Sequence, residues 1–231
     1  MIRFTPILLA LLYGILMYRF SVYRTHRQLN EQSTELADPS LESWTRKMAR
    51  ALDLPRIPVF IYEIDPVNGL ASPDGRIFIT RGFYNKFKQG EVTGDEMASV
   101  IAHELGHVAL GHSRRRMIDF SGQNAMRTAL AMVFSRVIPV IGPWIAGTLM
   151  TLLMARLSRN DEYEADAWAA ALLHKSGIGI EPQKSLFLKL EALTKSNSGA
   201  APAWFLSHPK TQERIAALNK LETRWARVDQ R

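Results

Sequence analysis

Apolar positions along this chain fall into two regimes, periodic stripes and unbroken runs. Met97, Val100, Ile101, Leu105 and Val108 recur at helical spacing and predict one buried helix face. Thr93-Gly94-Asp95-Glu96 precedes them as a capping box, with Thr93 as the cap and Glu96 reaching back. Gly111 is a C-terminal stop signal. Upstream, Leu41 to Leu52 reads as a helix, Pro58 to Ile64 and Arg76 to Thr80 as short strands, and Phe83 to Gln89 as a helix. Pro73-Asp74-Gly75 is turn chemistry, so the two strands read as a hairpin. Downstream, a helix starts at Asn160 or Asp161 and ends at Gly177, another runs from Pro182 to Thr194, and a last one from Pro209 to about Trp225. A Ser/Gly/Ala/Pro linker, 195–202, separates the last two. The predicted class is α+β, mainly helical, with a small sheet.

The unbroken runs raise the question of a membrane. Phe4 to Tyr18 is uncharged over about 15 residues, short for a span unless Arg19 snorkels. We expect residues 1–27 to form an uncleaved N-terminal anchor or signal-like segment and 28–231 the main domain. A small-residue cleavage pattern is missing, and without cysteine there is no lipoprotein anchor. Arg19, Arg24 and Arg27 outweigh Arg3, which leans the main domain to the cytoplasmic face. Val137 to Ala155 is also uncharged, but Pro139, Gly142, Pro143 and Gly147 interrupt it. The expectation for 117–157 is an apolar cover over a site, or an insertion dipping into the membrane surface. A plain pair of core helices is the alternative.

The formal net charge of +7 invites a nucleic-acid reading, but no binding motif or aromatic-interleaved basic patch accompanies it. No nucleic-acid partner is expected. Arg114-Arg115-Arg116 suits a membrane-facing patch better.

The chemistry concentrates in His103-Glu104-Leu105-Gly106-His107. On a helix the two imidazoles share one face and can close on a single zinc ion, with ligands about 2.0–2.1 Å away. Glu104 lies beside that face, placed to take a proton from a water that the metal polarises. Satisfied core histidines, or a structural zinc, are the bland alternatives. Structural sites usually close with four protein ligands and often use Cys, which this chain lacks. Gly106 leaves room for close approach of backbone or metal.

A third ligand is expected from Ser158 to Asp166. Glu162 and Asp166 share a helix face, while Glu164 points away. We assign Glu162 as the ligand and Asp166 as the acceptor that orients a ligating imidazole. His112 projects about 140° around the helix from His107 and reads as exposed or supporting. His26 and His174 lack a partner motif. The strand Ile77, Phe78 and Ile79 is a candidate substrate edge for strand addition, or simply a lid on the core.

These residues resemble a known family: the zinc metallopeptidases that include the bacterial heat-shock membrane protease HtpX and the eukaryotic CAAX prenyl protease. His103 to His107 is similar to its metal helix. Glu162-Tyr163-Glu164-Ala165-Asp166, after Ser158-Arg159, is similar to its third-ligand motif, Pro73 to Gly82 to its hairpin, and Ser207-His208-Pro209 with Arg214-Ile215 to its C-terminal element. The resemblance spans about 38–221. Asn68 stands where the family has a substrate-side Asn, but Gly69-Leu70 departs from its pattern. The resemblance implies one zinc per chain and places His208 near the active site, where it would stabilise an oxyanion. Capping a helix before Pro209 is the other reading of His208. It further implies misfolded membrane or envelope proteins as polypeptide substrates and a bacterial-type inner membrane as location. The expected activity is zinc-dependent endopeptidase, with His103, His107 and Glu162 on the metal, Glu104 and His208 as catalytic groups, and Asp166 in support. The competing reading is a non-catalytic, metal-bound chaperone or scaffold at the membrane.

Overall fold

The computed structural model describes residues 5–72, 74–112, 115, 142–196 and 211–228. Its elements are α1 (Thr5–Glu31), β1 (Ser33–Glu35), α2 (Pro39–Ala51), β2 (Val59–Tyr62), β3 (Gly69–Ala71), β4 (Ile77–Thr80), α3 (Arg81–Lys88), α4 (Gly94–Ala109), α5 (Gly142–Lys175), α6 (Glu181–Ser196) and α7 (Thr211–Val228). The architecture is mainly helical with one small mixed sheet, as the patterning predicts.

Helix α4 is the axis of the fold. The capping box forms as expected: Thr93 caps the Glu96 amide, and the Glu96 side chain accepts from the Thr93 amide at 2.9 Å. Glu96 is also gripped by Lys189 of α6 at 2.7 Å and by Ser185. Burial would raise its carboxyl pKa, but Lys189, Ser185 and the Thr93 amide outweigh that and hold it low. Met97, Val100 and Ile101 are fully buried, and Leu105 and Val108 pack at the margin of the core. Because α2, α5, α6 and the sheet all pack on α4, its remaining faces are buried as well. Leu41, Met48, Ile77, Ile79, Phe83, Leu173 and Leu186 complete this core.

The sheet differs from the expected hairpin. Its order is β1-β2-β4-β3, and β2 pairs with β4 in parallel, Val59 opposite Ile77. The partner across the turn is β3, antiparallel to β4 with Leu70 opposite Phe78. Gly69-Leu70-Ala71 is three residues long without a β-branched side chain, so nothing in its composition announces a strand. β1, Ser-Thr-Glu, is equally short and polar.

The predicted start of a helix at Asn160 or Asp161 is also corrected. Both residues lie inside α5, which runs 34 residues from Gly142 and ends before Gly177, at φ 71°. Asn and Asp favour caps only when their side chains have no better partner. Here Asp161 is buried beside His112 and Arg115.

Residues 116–141, most of the expected cover, lie outside the described residues; 142–157 belong to α5. Among the described residues, no helix is long and apolar enough to cross a membrane.

Candidate metal centre

Helices α4 and α5 approach closely where the site forms. A Cβ at Gly106 would lie 2.9 Å from the Ala165 carbonyl oxygen, so the glycine lets the two backbones meet. Ala165, Ala169 and Ala170 form the matching small, buried face of α5. This approach brings Glu162 and Asp166, one turn apart, against the imidazoles of α4.

Three donors converge. His103 Nε2 and His107 Nε2 are 3.1 Å apart, and the Glu162 carboxylate faces both, Oε2 3.4 Å from the first and Oε1 3.4 Å from the second. All three residues are buried. Donors bound tetrahedrally at about 2.0–2.1 Å stand about 3.3–3.4 Å from one another, so separations in this range suit a zinc ion. The donor types fit too: two neutral imidazoles and one carboxylate suit a borderline divalent ion.

Electrostatics point the same way. Burial alone would depress the His103 pKa, but hydrogen bonds to Asp166 and Glu162 outweigh it and raise it to about 9. A field that favours a proton on this ring favours a metal cation in its place. Asp166 accepts from His103 Nδ1 at 2.9 Å. Its own ionisation is secured by Arg214 of α7, which donates through Nε at 2.6 Å and Nη2 at 2.7 Å. Burial pushes the Asp166 carboxyl up, and the Arg214 charge more than reverses this, to about 2. Gln183 of α6 adds a third contact at 3.2 Å. Arg214 also stacks over the Phe187 ring, 4.2 Å from its centroid.

Glu104 is 2% exposed and sits where β3 passes α4. A Cβ at Gly69 would come within 3.2 Å of its Oε1. Among the described residues, the sheet edge beside the site is β3. Ile77, Phe78 and Ile79, expected to be a substrate edge, are corrected: β4 is paired on both sides and buried, so strand addition there is blocked by β2 and β3.

Of the two readings of His112, exposed or supporting, the structure removes the first, and His26 and His174 both have partners. His112 is fully buried, with Nδ1 3.0 Å from His107 Nδ1. The angle of 140° assumed a continuing helix, but α4 stops and Gly111 at φ 70° turns the chain back under its last turn. His26 meets Asp74 at 3.2 Å, tying α1 to the turn before β4. His174 faces the Trp225 ring at 5.3 Å. His208 lies outside the described residues. Arg214 is the site residue that sequence reasoning gave no role. Among the polar neighbours Gln212 and Glu213 it looks like part of a solvated helix face.

Two histidines one turn apart on α4, a glutamate after the first and a carboxylate from α5 thus form a group that could hold a divalent metal ion, with β3 passing alongside. The chain belongs to peptidase family M48, whose model matches residues 35–222. Among its relatives, the metalloproteases LoiP and YcaL of Escherichia coli are 31% and 30% identical over 154 residues, 67% of this chain. The chain spans 58% of the length of each. A protease HtpX homolog of Dictyoglomus turgidum is 24% identical, the match covering 96% of this chain and 85% of that protein.

Proposed function

We propose that this chain is a zinc-dependent endopeptidase whose metal is held by His103, His107 and Glu162. One observation carries the reading: three buried donors meet at zinc-compatible separations, with Glu104 beside them and the β3 edge alongside. Zinc bound there would supply Lewis-acid chemistry, making water acidic near neutral pH and polarising a carbonyl. The protein's own groups do the rest. Glu104 accepts the proton of the attacking water and returns it to the leaving amine. The β3 edge offers backbone N–H and C=O groups to an extended peptide. Asp166, whose carboxyl is held low by Arg214, keeps the His103 ring oriented. His208 would supply a donor to the developing oxyanion.

We further propose membrane attachment through the N-terminus, at a bacterial-type inner membrane. Leu12, Tyr13, Ile15, Leu16, Phe20 and Tyr23 of α1 are all more than half exposed, a large apolar surface to leave in water. Misfolded membrane or envelope polypeptides are the proposed substrates.

The test is Glu104→Gln. It should retain zinc and lose cleavage of an unfolded polypeptide such as casein by a factor of about 10² or more. Full activity in that variant contradicts the assigned base. A zinc-loaded wild-type chain that cleaves no polypeptide contradicts the proposed activity and favours a scaffold.

A further inference from the structure

His112 is a buried titratable group to which the proposed chemistry gives no task. It belongs to a short, ordered run of polar contacts. Its Nδ1 is 3.0 Å from His107 Nδ1, its Nε2 is 3.2 Å from Glu164 Oε2, and Asp161 Oδ1 stands 3.7 Å from the same Nε2. The rings of His107 and His112 meet nearly edge-on, at 66° with centroids 5.1 Å apart.

Proton counting orders these contacts. Ionised carboxylates only accept, so His112 Nε2 carries the hydrogen that Glu164 receives. If the ring carries a single N–H, His112 Nδ1 is left as an acceptor. The proton in the 3.0 Å contact then belongs to His107 Nδ1. This leaves the lone pair of His107 on Nε2, the atom that faces His103 Nε2 and Glu162. The reverse order would place the His107 proton on Nε2, in the middle of the donor triangle.

We infer that His112 is a positioning residue for the metal. Through Glu164 and Asp161 it fixes the tautomer and orientation of His107 so that Nε2 presents its lone pair. The inference rests on the metal-site reading above. It also separates two uses of one cluster. His112, Asp161 and Glu164 lie close enough together to hold a cation themselves. A cation there would take the His112 Nε2 lone pair, move the proton to Nδ1 and turn His107 the wrong way round. The two sites therefore exclude one another, and the relay predicts one zinc per chain.

The experiment measures zinc affinity of the 231-residue chain by competition with a chromophoric chelator. His112→Phe fills the space without an acceptor and should weaken zinc binding about 10- to 100-fold. His112→Asn restores an acceptor oxygen close to the place of Nδ1 and should recover most of that loss. Melting temperatures of the metal-free variants should match each other, which separates the effect from general destabilisation. Wild-type affinity in His112→Phe, no recovery in His112→Asn, or two zinc ions per wild-type chain would each overturn the relay. Should His112→Phe not fold, ¹⁵N-histidine NMR of the zinc-loaded wild type decides. Hydrogens on His107 Nδ1 and His112 Nε2 support the relay, and a hydrogen on His112 Nδ1 sinks it. His107→Ala is the control for the underlying site. Unchanged zinc affinity there fails the metal site itself. Loss there without loss in His112→Phe fails only the relay.

Discussion

The two imidazoles of the metal helix are backed in opposite ways. Behind His103 stands a charged, sealed network: Asp166 and Arg214 are both about 2% exposed and joined by two short hydrogen bonds, with Gln183 in support. Behind His107 stands another imidazole, His112, whose far side reaches Glu164, a carboxylate with 57% of its side chain exposed. The first side draws on three helices, α5, α6 and α7, and ties the C-terminal helix to the site. The second is local, built from the turn after α4 and the outward edge of α5. Ring orientation can therefore be secured either by a buried ion pair, which is costly to break, or by a proton order that water can partly replace.

The contrast should be largest in stability. Arg214→Ala strands a buried carboxylate and is expected to cost about 3–5 kcal/mol, read as a lowered urea midpoint. The double replacement Asp166→Leu with Arg214→Met should cost less than the sum of the two single changes, since neither charge of this pair is left without the other. Gly106→Ala strikes both sides, because its methyl group meets the Ala165 backbone. It should destabilise by about 1–3 kcal/mol and weaken zinc binding, despite the better helix propensity of alanine. Thr93→Ala, at the far end of the metal helix, should cost about 1 kcal/mol and leave zinc affinity unchanged. Glu164→Ala should fall within about 0.5 kcal/mol in stability, as for other surface positions.

Acidity sharpens the comparison further. The folded Asp166 carboxyl is held at about 2, below its unfolded value of about 3.9. Its contribution is present above the unfolded value and is lost as pH falls from about 4 towards 2. Glu96, also held low, acts in the same direction. The urea midpoint should therefore drop between about pH 4 and pH 2, and the drop should be shallower in the Asp166→Leu, Arg214→Met double variant. An equal drop in both proteins would dissociate acid sensitivity from this pair.

The share of this arrangement that is legible from sequence follows the range of the interactions. The stripe Met97, Val100, Ile101 and the capping box at Thr93 are local, and the structure has them as read. The convergence of Glu162 with His103 and His107 rests on two local spacings, i, i+4 on each helix, plus one long-range contact. Sequence hides what only tertiary packing decides. Arg214 reads as a surface residue until α7 docks on α5 and α6. The strand β3 carries no β signal and exists because β4 offers it a partner. His112 swings beneath His107 because Gly111 adopts a left-handed conformation that a helical projection ignores. Asn160 and Asp161 look like a helix start because their tertiary partners are invisible in one dimension.

If His103, His107 and Glu162 jointly bind one zinc ion, Glu162 is the most telling position to change, because it comes from the second helix. Zinc titration of the wild-type chain against Glu162→Ala measures this directly. One tightly bound ion per wild-type chain is expected, with an affinity reduced by orders of magnitude in the variant and the metal-free fold retained. Equal affinity in the two proteins would contradict it.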